Sequence, residues 1–225
     1  MIPFDKLKSP MNITYSPLEA AYYAKLNPAT VRAWLNGRLQ NSRAEGKVDF
    51  REFVQLLAVR ELRIKGITLG AIRDAIRYVR DDCGIEYPFA SKAHQTFIDG
   101  KTIAVRIGGE EASFSASGRQ TGQLNMDPLV ELYMTKLEFD EDGFARKFTA
   151  HDYENEKITI SPLEHLGQPI LAKHGHNAFV LANAVQAEGG FDAAAEVYGL
   201  PRSAMIAAVD YVDSLEIKPR QGKAA

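Results

Sequence analysis

The sequence predicts an α+β protein that is mainly helical, and three observations support this class. Residues 1–83 repeat helix-start signals, in which a small polar residue precedes proline or stands three residues before glutamate. Residues 84–161 contain β-rich runs around turn signals. Residues 162–216 return to helical spacing, interrupted twice by glycine. We therefore expect helices at both ends, a small mixed sheet carrying one helix between them, and a frayed tail at 217–225.

The composition is that of an ordinary globular protein, with 225 residues, 45% hydrophobic and 25% charged. The single cysteine, Cys83, cannot form an intramolecular disulfide, which fits a reducing compartment. No apolar run approaches the length of a membrane span, and the first ten residues lack the apolar segment of a secretory signal. The expected localisation is the cytoplasm.

The net charge of −2 conceals an asymmetry along the chain. Residues 1–80 contain 14 Lys and Arg against 7 Asp and Glu, whereas the remaining residues contain 13 basic and 22 acidic side chains. A basic segment joined to an acidic one is typical of a polyanion-binding module attached to a part with another partner. The pattern favours duplex DNA as a partner of the first segment, with drift of surface charge as the alternative.

Four helices are predicted in the first segment from their capping residues. The predicted caps are Ser16, Asn27, Asp49 and Thr68. Glutamate three residues after the first and third of these caps completes a capping box. Glycines 66 and 84 are expected to end the third and fourth helices.

The first two helices are separated by a short turn, which gives a helix-turn-helix pattern. Val31 and Leu35 are four residues apart and can face the first helix. Thr30 and Arg32 lie near the start of the second helix, where such motifs contact a DNA groove. Trp34 fits two interpretations, a core residue or an indole N–H donor to phosphate.

A polar stretch with three cations, Arg38, Arg43 and Lys47, follows the second helix. A short basic loop beside a helix-turn-helix suggests a wing that lies on the DNA backbone. The alternative is an ordinary solvated loop.

Residues 15–37, YSPLEAAYYAKLNPATVRAWLNG, resemble the opening of MerR-type DNA-binding domains, and residues 48–79 resemble the helix pair that follows. The resemblance implies a winged helix-turn-helix with Arg32 and Trp34 at DNA-contacting positions and Tyr15 and Ser16 near a phosphate. The chain departs from the family at Ala33, where a second aromatic is usual, and it lacks the long dimerising coiled coil. The predicted DNA-binding residues are Tyr15, Ser16, Asn27, Thr30, Arg32, Trp34, Arg38, Arg43 and Lys47.

The middle segment, 84–161, carries the strand signals. Asp99-Gly100 stands between two β-rich runs and predicts a hairpin. Residues 145–151 and 156–160 are expected to form two more strands. Residues 126–137 are expected to form a helix capped by Asp127.

The last segment, 162–216, predicts three helices broken at Gly189-Gly190 and Gly199-Leu200-Pro201. It resembles a three-helix module of antitoxins from VapBC-like toxin–antitoxin pairs. The carriers are Gly167, Gln168, Pro169, Ile170, Gly190, Tyr198, Gly199, Leu200, Ala207 and Tyr211. Larger VapB-type antitoxins join such a module to a MerR-like head, with a string similar to Tyr87–Ala90 between them. The resemblance implies a PIN-type ribonuclease toxin as partner, blocked by steric cover or by an inserted cation from among Arg202, Lys218 and Arg220.

No metal-binding, phosphate-loop or nucleophile–base spacing is recognisable, so the sequence predicts a non-enzyme without cofactor or metal. The preferred hypothesis is a DNA-binding antitoxin that represses its own operon, as a homodimer or in a hetero-oligomer with its toxin. The second is a MerR-like regulator whose later part senses a ligand or partner. The third is an enzyme with an accessory helix-turn-helix.

Overall fold

The computed structural model describes residues 13–35, 46–92, 95–99, 101–107, 110–115, 118–120 and 135–216. These residues contain seven α-helices and ten strands. The helices are α1 Pro17–Tyr23, α2 Pro28–Leu35, α3 Phe50–Ile64, α4 Leu69–Arg77, α5 Ala178–Ala187, α6 Phe191–Tyr198 and α7 Arg202–Leu215. A π-helical turn, Tyr78–Asp82, extends α4. The α+β class is confirmed, with about half of the described residues helical.

The predicted helix starts in the first segment are confirmed by their capping hydrogen bonds. The Ser16 hydroxyl accepts from the Glu19 amide at 3.1 Å, and the Glu19 carboxylate accepts from the Ser16 amide at 3.0 Å. Asp49 caps α3 in the same way, and Thr68 caps α4. Asn27 Oδ1 accepts from the Ala29 amide at 2.8 Å at the start of α2. Each helix starts where its own side chains satisfy the first amides.

All strands pair antiparallel, in three sheets. A ribbon pairs β1 Thr14–Tyr15 with β2 Val48–Asp49. The first four-stranded sheet is a meander of β3 Gln95–Asp99, β4 Thr102–Ile107, β5 Glu110–Ser115 and β6 Gly118–Gln120. The second has the order β10-β9-β8-β7, with β7 Leu137–Phe139, β8 Ala145–Tyr153, β9 Glu156–Ile160 and β10 Ile170–Leu171. The predicted hairpin is confirmed by the pairing of Asp99 with Thr102.

The predicted single mixed sheet is wrong, because the described residues form two separate four-stranded antiparallel sheets in addition to the β1–β2 ribbon. Short connections join most neighbouring strands in each sheet, and a parallel pair needs a much longer crossover. The predicted helix at 126–137 lies mostly outside the described residues. At its end, Thr135 and Lys136 form a turn and Leu137 already belongs to β7, so a helix does not extend to 137.

Aromatic side chains join the first helices to the later segments. Tyr15 contacts Phe53 of α3 with ring centroids 5.3 Å apart, and Phe53 contacts Phe148 of β8 at 6.4 Å. Phe179 of α5 contacts Tyr211 of α7 at 6.5 Å. These rings lie in one continuous hydrophobic core. The burial of such large apolar surfaces stabilises the packing of the segments against one another.

Replacing Glu52 with glutamine is expected to remove a pH dependence of stability. Glu52 is 4% exposed, and burial raises its pKa to about 7. The hydrogen bond from the Asp49 amide lowers the pKa, and the charges of Asp49 and Glu86 raise it. A raised carboxyl pKa means that the folded state holds the proton more tightly, so stability is full at low pH and is lost as pH rises from about 4.5 to 7. Urea unfolding between pH 4 and pH 8 should show the wild type losing up to about 3 kcal/mol relative to Glu52→Gln.

Glu19→Gln is the matched control, because Glu19 has the same capping-box role in α1 but is exposed. If the free energy of unfolding of the wild type changed with pH in parallel with that of Glu52→Gln, Glu52 would not be the source of the pH dependence.

Candidate nucleic-acid interface and partner-binding segment

The predicted helix-turn-helix falls on α1, a turn at 24–27 and α2. Val31, Trp34 and Leu35 are 0%, 6% and 8% exposed and form the inner face of α2. Thr30 is half-buried and Arg32 is exposed on the remaining face. The exposed cation of this short amphipathic helix lies in its last turn and not, as predicted, near its start, whereas a recognition helix contacts base edges mainly with its N-terminal residues.

Arg32 differs from several other arginines of the first segment in its electrostatic surroundings. Arg60 pairs with Glu61 at 3.2 Å, Arg77 with Asp74 at 3.6 Å, and Arg80 with Asp81 at 2.7 Å. Within the described part of the chain, Arg32 makes no ion pair and its side chain is exposed to solvent. An exposed guanidinium is a donor group that matches the geometry of a phosphate.

Tyr15 and Trp34 lie in the core rather than at the surface. Tyr15 is 3% exposed, and its hydroxyl donates to the Gly167 carbonyl at 3.2 Å. Burial is the main cause that raises the Tyr15 pKa. Trp34 is 6% exposed, which favours the core interpretation of the two that the sequence left open. Burial at these two positions supports a role in holding α1 and α2 in place.

Three of the predicted DNA-binding residues lie at or beside the starts of α1 and α2: Ser16, Asn27 and Lys47. Ser16 and Asn27 are exposed, and their side-chain oxygens already accept backbone amides. The register of β1 and β2 pairs Tyr15 with Val48, so exposed Lys47 stands at the position next to Ser16. A cation thus lies beside the start of α1, where free amides favour anions. Arg38 and Arg43 lie outside the described residues, and with them most of the predicted wing.

The C-terminal segment contains the three predicted helices, α5, α6 and α7. Gly199 has φ +63° and ends α6 in the left-handed conformation that glycine adopts without strain. Arg202 at the start of α7 is exposed, pairs with Asp192 at 3.0 Å, and lies 5.3 Å from the ring centroid of Phe191. Arg202 therefore links α7 to the start of α6. Lys218 and Arg220 lie outside the described residues.

Helix α1 packs directly on the C-terminal helices. Tyr22 stacks on Phe179 of α5 with centroids 6.1 Å apart and planes at 22°. Lys25 Nζ donates to Ser214 Oγ at 2.8 Å. These contacts hold α1 against the C-terminal helices. The domain boundaries at 83 and 161 stay a prediction.

A cavity bounded by α1, α3, β8 and α7 was not predicted from the sequence. One sequence signal near the cavity is a lysine at position 25, directly after the α1 C-cap, where glycine is usual. The structure gives Lys25 a φ of +54°. Across the described ranges, no group of three or more His, Cys, Asp or Glu is placed to hold a metal ion. No helix in the same ranges has both the length and the apolar character needed to cross a membrane.

The chain is similar in sequence to a protein of Mycobacterium tuberculosis and similar in fold to a crystal structure from the same organism. No family model matches the chain. A protein of Mycobacterium tuberculosis named "Putative antitoxin VapB45" is 20% identical over 225 aligned positions, covering 88% of this chain and 93% of that protein. The crystal structure of Rv2018 from Mycobacterium tuberculosis superposes with a TM-score of 0.64 at 16% identity, covering 87% of this chain and 96% of that one. This structural likeness shows that the two chains share a fold.

Proposed function

We propose that this protein is a non-enzymatic, DNA-binding antitoxin that neutralises a PIN-type ribonuclease toxin by direct binding and represses its own operon. The observation that carries the proposal is the similarity to the VapB45 protein over nearly the whole chain. Arg32, which is exposed on a short amphipathic helix and makes no ion pair with any described residue, supports the DNA-binding half.

DNA binding is assigned to the exposed face of α2 and the surrounding helix starts. Arg32 reaches a phosphate or a guanine edge, and Thr30 lies two residues closer to the start of α2. Lys47, beside Ser16, contacts backbone phosphate, as do Asn27, Arg38 and Arg43. Tyr15 and Trp34 hold the two helices in the geometry that binding needs. A homodimer would place two such units on a two-fold related promoter site.

Toxin binding is assigned to the acidic later part of the chain. Beyond residue 80 the sequence contains 22 Asp and Glu but only 13 Lys and Arg. A PIN-type active site uses carboxylates to hold metal, so a cation inserted among them would compete with the metal. Arg202, Lys218 and Arg220 are the candidate cations. Steric cover of the active-site groove is the other way in which this segment could block the enzyme.

Two steps test this function: the gene's neighbours are searched for a PIN-domain reading frame, and that toxin is co-expressed with this chain. The toxin is expected to co-purify with this chain in a stoichiometric complex and to lose its ribonuclease activity there. Arg202→Ala should weaken inhibition at least tenfold if this cation is inserted, whereas Arg146→Ala, an exposed arginine on β8, should have no effect. Steric cover predicts that neither variant weakens inhibition. Failure of the wild-type chain to bind or inhibit the toxin would refute the antitoxin function.

A MerR-like regulator that senses a small ligand is the second candidate, and the cavity between α1 and α7 is the observation that favours it. Such a regulator would bind promoter DNA without a toxin, and a ligand would change its DNA affinity. The co-purification experiment separates the two candidates.

A further inference from the structure

The cavity between α1, α3, β8 and α7 has a volume of about 440 Å³, which is in the range of small-molecule sites. Its charged lining consists of Lys25, Arg60, Lys65, Lys136 and Glu61. Arg60 pairs with Glu61 at 3.2 Å. Among the described residues, none of the three lysines makes an ion pair with a carboxylate. The lining thus holds four cations against one carboxylate, so its net charge is positive and it attracts anions.

Lys25 is held in this cavity at a cost in both backbone and electrostatic energy. Its φ of +54° is the left-handed conformation, which a non-glycine residue adopts only under strain. Burial lowers the Lys25 pKa, and the nearby charges of Arg60 and Lys136 lower it further, while the charge of Glu61 acts in the opposite direction. A bound anion would offset the repulsion among these cations.

The remaining wall of the cavity is aromatic. Tyr23, Phe148 and Tyr211 line it together with small apolar side chains. Tyr211 is 1% exposed, and its hydroxyl has no hydrogen-bond partner among the described residues. A buried hydroxyl without a partner costs stability unless a ligand or water satisfies it. Flat aromatic surface next to several cations suits a ligand that is anionic at one end and apolar or aromatic at the other.

We infer that this cavity binds a small organic phosphate, with the phosphate between Lys25, Arg60 and Lys136 and the apolar body against Tyr23 and Phe148. A doubly charged phosphate matches several neighbouring cations better than a single carboxylate does. The lining comes from both the first helices and the last helix, so the ligand would link the helix-turn-helix to α7. This inference does not depend on the antitoxin function.

The test is calorimetric titration of the full chain with adenosine monophosphate and with phenyl phosphate, compared with adenosine and inorganic phosphate. At least one of the two esters is expected to bind saturably, at least tenfold more tightly than either adenosine or inorganic phosphate. Lys25→Met should reduce that affinity at least tenfold, and Lys136→Met should reduce it as well. Lys101→Met is the control, because Lys101 is exposed in the β3–β4 turn outside the cavity.

Thermal unfolding of each variant shows whether it is folded. If Lys25→Met does not fold, the ester affinity of Lys136→Met tests the inference. The inference is overturned if neither ester binds saturably up to about 10 mM, an affinity too weak to be specific, or if both lysine variants bind as the wild type does. It is also overturned if inorganic phosphate binds as tightly as the esters. If the variants lose promoter affinity while no ester binds, the lysines belong to the DNA interface instead.

Discussion

Gly167→Ala is expected to destabilise the protein by about 3 kcal/mol, because two costs act at one position. Gly167 has φ +77°, a conformation that strains alanine. A Cβ added there would lie 2.5 Å from the Tyr15 hydroxyl oxygen and 3.2 Å from Ile13 Cγ2. Tyr15 is buried and packs on Phe53, so it has little room to move. The free energy of unfolding in urea measures the effect.

Gly189→Ala separates the two costs. Gly189 has nearly the same φ, +79°, but a Cβ there would meet no atom within 4 Å. This control should lose only about 1 kcal/mol, from backbone strain alone. In a Tyr15→Phe background, Gly167→Ala should cost at least about 1 kcal/mol less than in the wild type, because the nearest clashing atom is gone. Equal costs for the two glycine variants would show that Tyr15 and Gly167 are not in contact.

Arg32→Ala is expected to weaken binding to a promoter fragment by about 1 to 3 kcal/mol, roughly ten- to a hundredfold. The loss of one phosphate contact should also reduce the slope of log affinity against log salt concentration by about 1. Fluorescence anisotropy over a series of salt concentrations measures both quantities. Because Arg32 is exposed and makes no ion pair in the described part of the chain, the variant should fold normally.

Arg146→Ala removes an exposed arginine from β8, outside the predicted helix-turn-helix, and should leave promoter affinity unchanged. If Arg32→Ala binds with the wild-type affinity and salt slope, α2 does not enter the groove. A variant that loses affinity without a change in salt slope would instead indicate a contact to a base edge.

The sequence predicted features whose cause is local. The starts of α1, α2, α3 and α4 follow from side chains two or three residues from the amides that they cap, so the sequence alone locates them. The three C-terminal helices and the β3–β4 hairpin follow equally local glycine signals. The inward face of α2 was predicted from the spacing of Val31 and Leu35, and both are buried.

The tertiary structure alone decided which distant residues meet. The strands divide into two four-stranded antiparallel sheets and a ribbon. This division depends on which strands pair, and the residue pattern within a single strand does not predict its partner. Tyr15 meets Gly167, 152 residues away, and Lys25 meets Ser214, 189 residues away. The same packing buried Trp34, which the sequence left between core and surface, and it brought Lys25 and Lys136 to one cavity. Capping and turn formation depend on neighbours in the chain, whereas sheet order, cavities and buried charge depend on how the whole chain encloses its core.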